Sequence, residues 1–201
     1  MKGSIIIVAF FFLGVLLARF DLLSAHFFEF DYSQYTLYLL MFSVGISVGA
    51  DIKSLFVTIK KHGFRMFLPP LATIFGTLLG CLLLGLIWDG RSVAQCMAVG
   101  SGFGYYSLSS IFITQICGAE LGTVALISNI SREIITLLCA PFIVYVFGKI
   151  ALICSGGATT MDTTLPIITR FSGNEYVVIA IFHGFIVDFT VPFLVTLFAS
   201  L

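Results

Sequence analysis

Long apolar runs separated by short polar stretches are the feature that most limits what this chain can fold into. The 201 residues are 59% hydrophobic and 10% charged, and several runs approach the roughly 20 residues that a helix needs to cross a bilayer. The sequence therefore predicts an all-α, multi-pass membrane protein. The net charge is zero, which gives no indication of a nucleic-acid partner.

About seven membrane segments are predicted. Their approximate bounds are residues 3–18, 35–50, 67–88, 93–117, 121–150, a segment around 155–166, and 176–201. No Pro/Ser-rich linker interrupts the chain, so we expect one membrane transport domain over residues 1–201. Within it, residues 1–90 form a three-helix unit, and residues 91–201 form a core that carries the polar and charged positions.

The loop between the second and third segments is basic. Its cationic residues are Lys53, Lys60, Lys61 and Arg65. Basic loops are retained in the cytoplasm, so the N-terminus is expected inside and the C-terminus outside. This orientation assumes that the segment around residues 155–166 crosses fully; if that segment is re-entrant, the C-terminus moves inside.

The cysteines give no sign of a metal site or a cofactor. None of them has a Cys-x-x-Cys or Cys/His spacing, so they are predicted to be reduced packing residues; they are Cys81, Cys96, Cys117, Cys139 and Cys154. No set of nucleophile, base and oxyanion donors can be named either, which argues against an enzyme.

Residues 155–166 form a polar, glycine-bearing island inside a chain otherwise suited to lipid. Irregular backbone at membrane depth is tolerated only where it is buried in protein or lines a cavity. Gly156 and Gly157 are suited to end one half-helix, and a second can begin near Asp162 with its positive dipole end toward the gap. Asp162 also suits a plain helix cap. The hydroxyls of Thr159, Thr160 and Thr163 are candidates, with Asp162 and with Asn129, Arg132 and Glu133 of the preceding segment, for binding substrate or protons.

A second irregular patch lies at residues 100–110. Three glycines at alternate positions each lower helix stability by up to roughly 1 kcal/mol, and the hydroxyls that follow can satisfy freed backbone groups. We therefore predict a second broken or kinked helix, with close packing as the alternative. The positions concerned are Gly102, Gly104, Tyr105 and Ser107.

Residues 121–150 contain a polar stripe at helical spacing, formed by Asn129, Arg132, Glu133 and Thr136. A charge at the helix centre costs roughly 2.5 to 3.5 kcal/mol on insertion scales, so the stripe is expected to face the interior. One interpretation is that Arg132 and Glu133 are structural and hold neighbouring helices together. The other is that Glu133 faces a cavity and Arg132 pairs elsewhere, with Asp162 as a candidate partner.

The last segment contains His183 and Asp188, five positions apart and therefore on different faces of a helix. A structural histidine satisfied by hydrogen bonds is favoured over a proton relay. Asp188 is a further candidate for a functional acid, ranked after Glu133 and Asp162.

Four stretches taken together resemble the bacterial lysine exporter family of the LysO type. They are residues 102–109, 131–133, 157–166 and 183–185. This resemblance implies an inner-membrane exporter of L-lysine and lysine analogues, in which acids matching Glu133 and Asp162 are needed for transport. It also implies an architecture similar to that of cation/proton antiporters and bile-acid transporters.

Members of this family are often longer at the N-terminus, with a further group of helices. The resemblance therefore implies a small companion membrane subunit that supplies those helices. Two buried acids and a half-helix N-terminus suit the two ammonium groups and the carboxylate of lysine. An acid that takes up a proton as lysine leaves would make export a lysine/proton antiport.

Two other functions fit the same residues. Asp162 beside broken backbone also suits a sodium/proton antiporter. The intramembrane charges also suit a membrane scaffold that transports nothing, in which Arg132, Glu133 and Asp162 form structural pairs.

Overall fold

In this computed structural model, the structure describes residues 63–87 and 90–201 as continuous stretches. Before them it describes only isolated positions, namely Leu13, Leu16, Leu17, Arg19, Phe20, Tyr35, Leu39, Phe42 and Ile46. The chain divides into two compact units, Met1–Leu39 and Leu40–Leu201. The fold given below is that of the second unit. The first two predicted segments and the basic loop up to residue 62 lie outside the continuously described residues.

The described part of the second unit is helical. Its α-helices are α1 (Leu68–Ile87), α2 (Val93–Gly100), α3 (Tyr106–Cys117), α4 (Ala119–Phe147), α5 (Lys149–Gly156), α6 (Leu165–Ser172) and α7 (Val177–Ala199). Short 3-10 helices cover Phe64–Phe67, Gly157–Met161 and Asn174–Tyr176. In the described part of the chain, three helices are long and apolar enough to cross a membrane: α1, α4, and α7 with the turn before it.

Helices α2 and α3 form a hairpin, called hairpin 1, over residues 93–117. Its two ends meet, because Arg91 before α2 pairs with Glu120 just after α3. The Cys117 thiol at the end of α3 donates to the Ala199 carbonyl, 3.3 Å away, at the end of α7. Hairpin 1 therefore enters from the end of the molecule where α1 and α7 finish, and it returns to that same end.

Helices α5 and α6 form a second hairpin, called hairpin 2, over residues 149–172. The Ser172 hydroxyl at the end of α6 donates to the Lys149 carbonyl at the start of α5, with an oxygen–oxygen distance of 3.0 Å. Lys149 also pairs with Glu175, 3.3 Å away. Hairpin 2 therefore enters from the end where α1 and α7 begin, opposite to hairpin 1.

The helix breaks predicted near residues 100–110 and 155–166 are confirmed, and the outer ends of the two helices flanking each break lie close together. The breaks cover residues 101–105, the tip of hairpin 1, and residues 157–164, the tip of hairpin 2. Residues 93–117, predicted as one segment with a break, form two helices whose outer ends meet. The second half-helix after the island begins at Leu165, slightly later than predicted.

The order of elements repeats with opposite direction. Helix α1 is followed by hairpin 1, which starts at the C-terminal end of α1. Helix α4 runs antiparallel to α1 and is followed by hairpin 2, which starts at the C-terminal end of α4. Glycines with positive φ end α3 and α4, at Gly118 (φ 93°) and Gly148 (φ 88°). Each glycine adopts a positive φ that L side chains rarely adopt, which lets the chain reverse direction.

Apolar packing holds hairpin 2 against its neighbours. Ala140 of α4, Leu152 of α5, Ile168 of α6 and Ala180 of α7 are fully buried in one cluster. Near the start of α1, Met66 and the ring of Phe67 pack on Phe182, with the two rings edge to face at 5.1 Å.

Candidate functional site

The tips of the two hairpins meet through their main chains near the middle of the bundle. The Ala158 amide donates to the Phe103 carbonyl, with an N–O distance of 2.9 Å. Phe103 is fully buried and has φ of 45°, the one positive φ at a non-glycine position in the part of the chain described. Gly157 has φ of 64°, and a Cβ there would overlap the Phe103 carbonyl oxygen. The junction therefore requires glycine at position 157.

Asn129 on α4 fills the turn of hairpin 1. Its Oδ1 accepts from the Gly104 amide at 2.7 Å, and its Nδ2 donates to the carbonyls of Val99 at 3.2 Å and Ala125 at 2.9 Å. A Cβ on Gly102 would lie 2.5 Å from Asn129 Nδ2, so the turn closes tightly on the amide. Asn129 thus replaces the partners that the broken backbone loses.

Arg132, one turn further along α4, holds hairpin 2. Its Nε donates to the Ser155 carbonyl at 2.9 Å, its Nη2 to the Cys154 carbonyl at 3.0 Å, and its Nη1 to the Thr77 hydroxyl of α1 at 3.2 Å. The Thr136 and Ser155 hydroxyls lie 2.7 Å apart. The guanidinium therefore sits at the negative dipole end of α5.

Three positions of the predicted stripe, Asn129, Arg132 and Thr136, do contact the interior of the protein, where they bind the two hairpins. The suggested pairing of Arg132 with Asp162 was wrong for the contacts described, because its bonds go to carbonyls and a hydroxyl. Glu133 is partly buried, on an adjacent face of α4. Tyr106 lies within electrostatic range of both Glu133 and Asp162.

The carboxyl group of Asp162 lies at an exposed position of the second tip. It accepts a hydrogen bond from the Thr163 amide, and both residues are exposed. The Thr159 hydroxyl is buried and donates to the Gly156 carbonyl at 2.9 Å. Asp162 and Thr163 are therefore open to a ligand, whereas Thr159 holds the turn in place.

His183 links the second tip to α1. Its Nδ1 lies 3.0 Å from the Thr160 hydroxyl, and its Nε2 lies 2.8 Å from the Thr73 hydroxyl. The ring is fully buried, and the Thr160 hydroxyl also contacts the Ala180 carbonyl at 2.9 Å. These contacts match the structural histidine favoured from the sequence.

Asp188 lies one turn beyond Gly184 on α7 and is 7% exposed. A Cβ on Gly184 would lie 2.7 Å from the Met161 amide nitrogen, so this face of α7 touches the second tip. Asp188 is within electrostatic range of Asp162 and of Tyr105 in the first tip. The structure therefore brings Asp188 to the tips, although the sequence ranked it last among the acids.

Sequence reasoning missed three positions that shape the site. The Phe103 carbonyl joins the tips, and the hydroxyls of Thr73 and Thr77 bind His183 and Arg132. The two threonines are polar residues four apart in an apolar helix, which is a readable signal. The φ of Phe103 has no sequence signal. Ser107 lies in the first turn of α3 rather than in the break.

All five cysteines are free thiols. Among the residues that the structure describes, no group of three His, Cys, Asp or Glu side chains comes together as a metal site. The polar groups around the two hairpin tips are instead carboxylates, hydroxyls and main-chain atoms. Broken helices whose tips meet inside a helical bundle also occur in secondary transporters.

The family model described as "Lysine exporter LysO" matches residues 8–199. The chain belongs to this family. It is 35% identical over 172 residues to the lysine exporter LysO of Escherichia coli strain K12, which covers 84% of this chain and 55% of that protein. It is 34% identical over 170 residues to a putative lysine exporter of Haemophilus influenzae, with 83% of each chain covered. No solved structure matches.

The chain thus spans about half the length of the E. coli relative, and most of the length of the H. influenzae one. The aligned family region contains both hairpins, α4 and α7. The family is one of transporters rather than enzymes.

Proposed function

We propose that this protein is a secondary transporter that exports L-lysine, and lysine analogues, across the bacterial inner membrane. The observation that carries the proposal is the meeting of two opposed hairpin tips beside the acids Glu133, Asp162 and Asp188. Family membership supports lysine as the substrate, since both relatives are named as lysine exporters, one of them putatively.

Asp162 is the proposed first ligand of a substrate ammonium group. Its carboxyl group is exposed and accepts from the amide of its own neighbour, Thr163, so it is open to a cation. The Thr163 hydroxyl is the nearest accessible companion. Asn129, Arg132, Thr159 and Thr160 take part as positioning residues, because their hydrogen bonds hold the two tips.

Export is proposed to run as proton antiport. A carboxyl group near the tips binds the lysine ammonium when ionised and a proton when lysine has left, so one site alternates between the two cations. Glu133 is the proposed second acid, because it shares the surroundings of Tyr106 with Asp162. No cofactor takes part in this scheme.

The opposed hairpins bear on the orientation in the membrane. Placing the basic loop inside puts the start of α1 at the cytoplasmic face, and α7 runs parallel to α1. Because hairpins 1 and 2 both turn back, their effects on the topology cancel. The C-terminus is then external, as proposed from the sequence, and the N-terminus cytoplasmic.

A companion membrane subunit stays part of the proposal. The E. coli relative has nearly half its length outside the aligned region, so a second polypeptide equivalent to that part would complete a similar assembly. The transport assay should therefore be run with and without the product of a neighbouring gene.

The test is efflux of radiolabelled L-lysine from proteoliposomes under an imposed pH gradient. The wild type is expected to export lysine, and Asp162→Asn to lose most of that flux while folding normally, because the amide cannot bind an ammonium group as an ion. Glu120→Gln is the matched control, since Glu120 is an exposed acid at the far end of hairpin 1. No lysine flux in the wild type, with the companion present, would contradict the proposal.

A sodium/proton antiporter is the first alternative. The Asp162 carboxylate and the hydroxyls of the second tip are hard oxygen donors, which small cations prefer. Sodium-dependent pH changes in the same vesicles, in the absence of lysine, would favour this function over lysine export.

A scaffold that transports nothing is the second alternative. The bonds of Arg132 to hairpin 2 favour a structural role for that residue. Asp162 differs, because its side chain is exposed and its hydrogen bonds stay within residues 162 and 163. A scaffold predicts that Asp162→Asn lowers protein abundance rather than flux.

A further inference from the structure

Asp188 is the most deeply buried acid in the described part of the chain, at 7% exposure. It lies on α7 in line with Ala180 and Gly184, at spacings of four residues, so all three share one face. Ala180 and Gly184 contact Thr160 and Met161 of the second tip. The Asp188 side chain therefore projects from the face that the tip covers, one turn further toward the first tip.

No hydrogen bond or ion pair reaches the Asp188 side chain from the described residues. Of the titratable groups on the elements that pack against α7, those within electrostatic range are Asp162, after the 3-10 helix, and Tyr105, before α3. Neither is a cation. His183 on α7 itself binds two threonines, and the bonds of Arg132 go to hairpin 2 and α1.

An ionised carboxylate buried without a partner costs several kcal/mol. A second carboxylate close by raises that cost, because two like charges in one site disfavour double ionisation. Beside Asp162, an ionised Asp188 would therefore be stabilised by a counter-cation, and the described residues supply none. A proton can fill this role in the ligand-free protein, and an ammonium group can fill it in the loaded protein.

We infer that Asp188 and Asp162 form a two-carboxylate site between the hairpin tips, in which the Asp188 carboxyl group releases its proton when a substrate ammonium group binds. This inference rests on the proposed function and names the site where proton and substrate compete. The exchange is balanced in charge: one ammonium ion enters, one proton leaves to water, and no covalent bond of the substrate changes.

The experiment measures lysine binding and proton release together, on purified protein in nanodiscs at weak buffer strength. The wild type is expected to release a proton on binding L-lysine, and its affinity should fall as the solution is acidified. Asp188→Asn should bind lysine about 10- to 100-fold more weakly, with no proton released, because a charge-assisted contact is lost. Glu120→Gln, an exposed acid, should behave as the wild type.

Infrared difference spectroscopy provides a readout that needs no lysine. The ligand-free wild type should show the carbonyl band of a protonated, buried carboxylic acid, which Asp188→Asn abolishes and Asp188→Glu shifts. Absence of that band, or a folded Asp188→Asn protein with wild-type affinity and proton release, would overturn the inference. A wild type that shows the band but binds no lysine would contradict lysine as the substrate. It would still support a protonated Asp188.

Discussion

The two hairpins have the same shape and opposite directions, yet their tips are held in different ways. The tip of hairpin 1 is closed around a neutral side chain, Asn129, and residues 101–104 are buried. The tip of hairpin 2 is held at its base by the charged Arg132 and presents Asp162 and Thr163 at exposed positions. The buried tip of hairpin 1 is here called the fixed wall, and the exposed Asp162 on hairpin 2 is called the open acid.

Both anchors come from one helix, α4, at positions three residues apart. A shift of α4 would therefore act on both tips at once. The two tips also share one main-chain hydrogen bond, from Ala158 to Phe103. Closing this bond joins the open tip to the fixed wall, and breaking it would separate them.

The largest loss of stability is expected from Gly157→Ala, because this substitution disrupts the contact between the two hairpin tips. A positive φ costs an L-residue roughly 1–2 kcal/mol, and the clash with the Phe103 carbonyl adds roughly 1–3 kcal/mol. We expect a loss of about 4 kcal/mol of unfolding free energy, measured by denaturant titration in mixed micelles.

Gly148→Ala is the matched control for the junction. Gly148 also has a positive φ, of 88°, but a Cβ there meets nothing within 4 Å. The Gly148→Ala variant should lose only the backbone-strain part of the unfolding free energy, about 1–2 kcal/mol. Equal losses in the two variants would mean that the contact between the tips contributes nothing.

The next effect concerns hairpin 2 alone. Arg132→Met removes three donors, and interhelical hydrogen bonds in membrane proteins average about 0.6 kcal/mol, with charge-assisted ones about twice as strong. We expect a loss of about 3.5 kcal/mol and faster proteolysis between α5 and α6.

Arg91→Met provides the comparison for Arg132, because it removes a guanidinium from an ion pair in which Glu120 is exposed. Exposed pairs contribute about 0–1 kcal/mol, so this variant should stay near the wild type. Equal losses of stability in Arg132→Met and Arg91→Met would contradict the proposal that Arg132 anchors hairpin 2.

Local sequence signals were enough to predict where the chain breaks. Gly102, Gly104, Gly156 and Gly157 mark both tips, because closely spaced glycines together weaken a helix more than a single glycine does. The stripe on α4 was also readable, since its spacing is helical. The bounds of α1, α4 and α7 match the apolar runs to within a few residues.

The direction of each hairpin was not readable in the same way. Re-entry depends on pairs far apart in sequence, such as Cys117 with Ala199 and Arg91 with Glu120. The burial of Asp188 likewise depends on which face of α7 the second tip covers. One sequence contains no record of such contacts, so the choice between crossing and turning back had to come from the structure.

The smallest of the three stability effects is expected in hairpin 1. Asn129→Ala removes bonds to Gly104, Val99 and Ala125, and at about 0.6 kcal/mol each the loss is about 2 kcal/mol. Ser128→Ala, at the exposed neighbouring position, should change stability by less than about 0.5 kcal/mol.

Asn129 stabilises the tip of hairpin 1 and does not contact the open acid, Asp162. Stabilising lipid or low temperature should therefore restore lysine flux in Asn129→Ala but not in Asp162→Asn. Flux that stays lost in a fully folded Asn129→Ala protein would show that hairpin 1 is more than a wall.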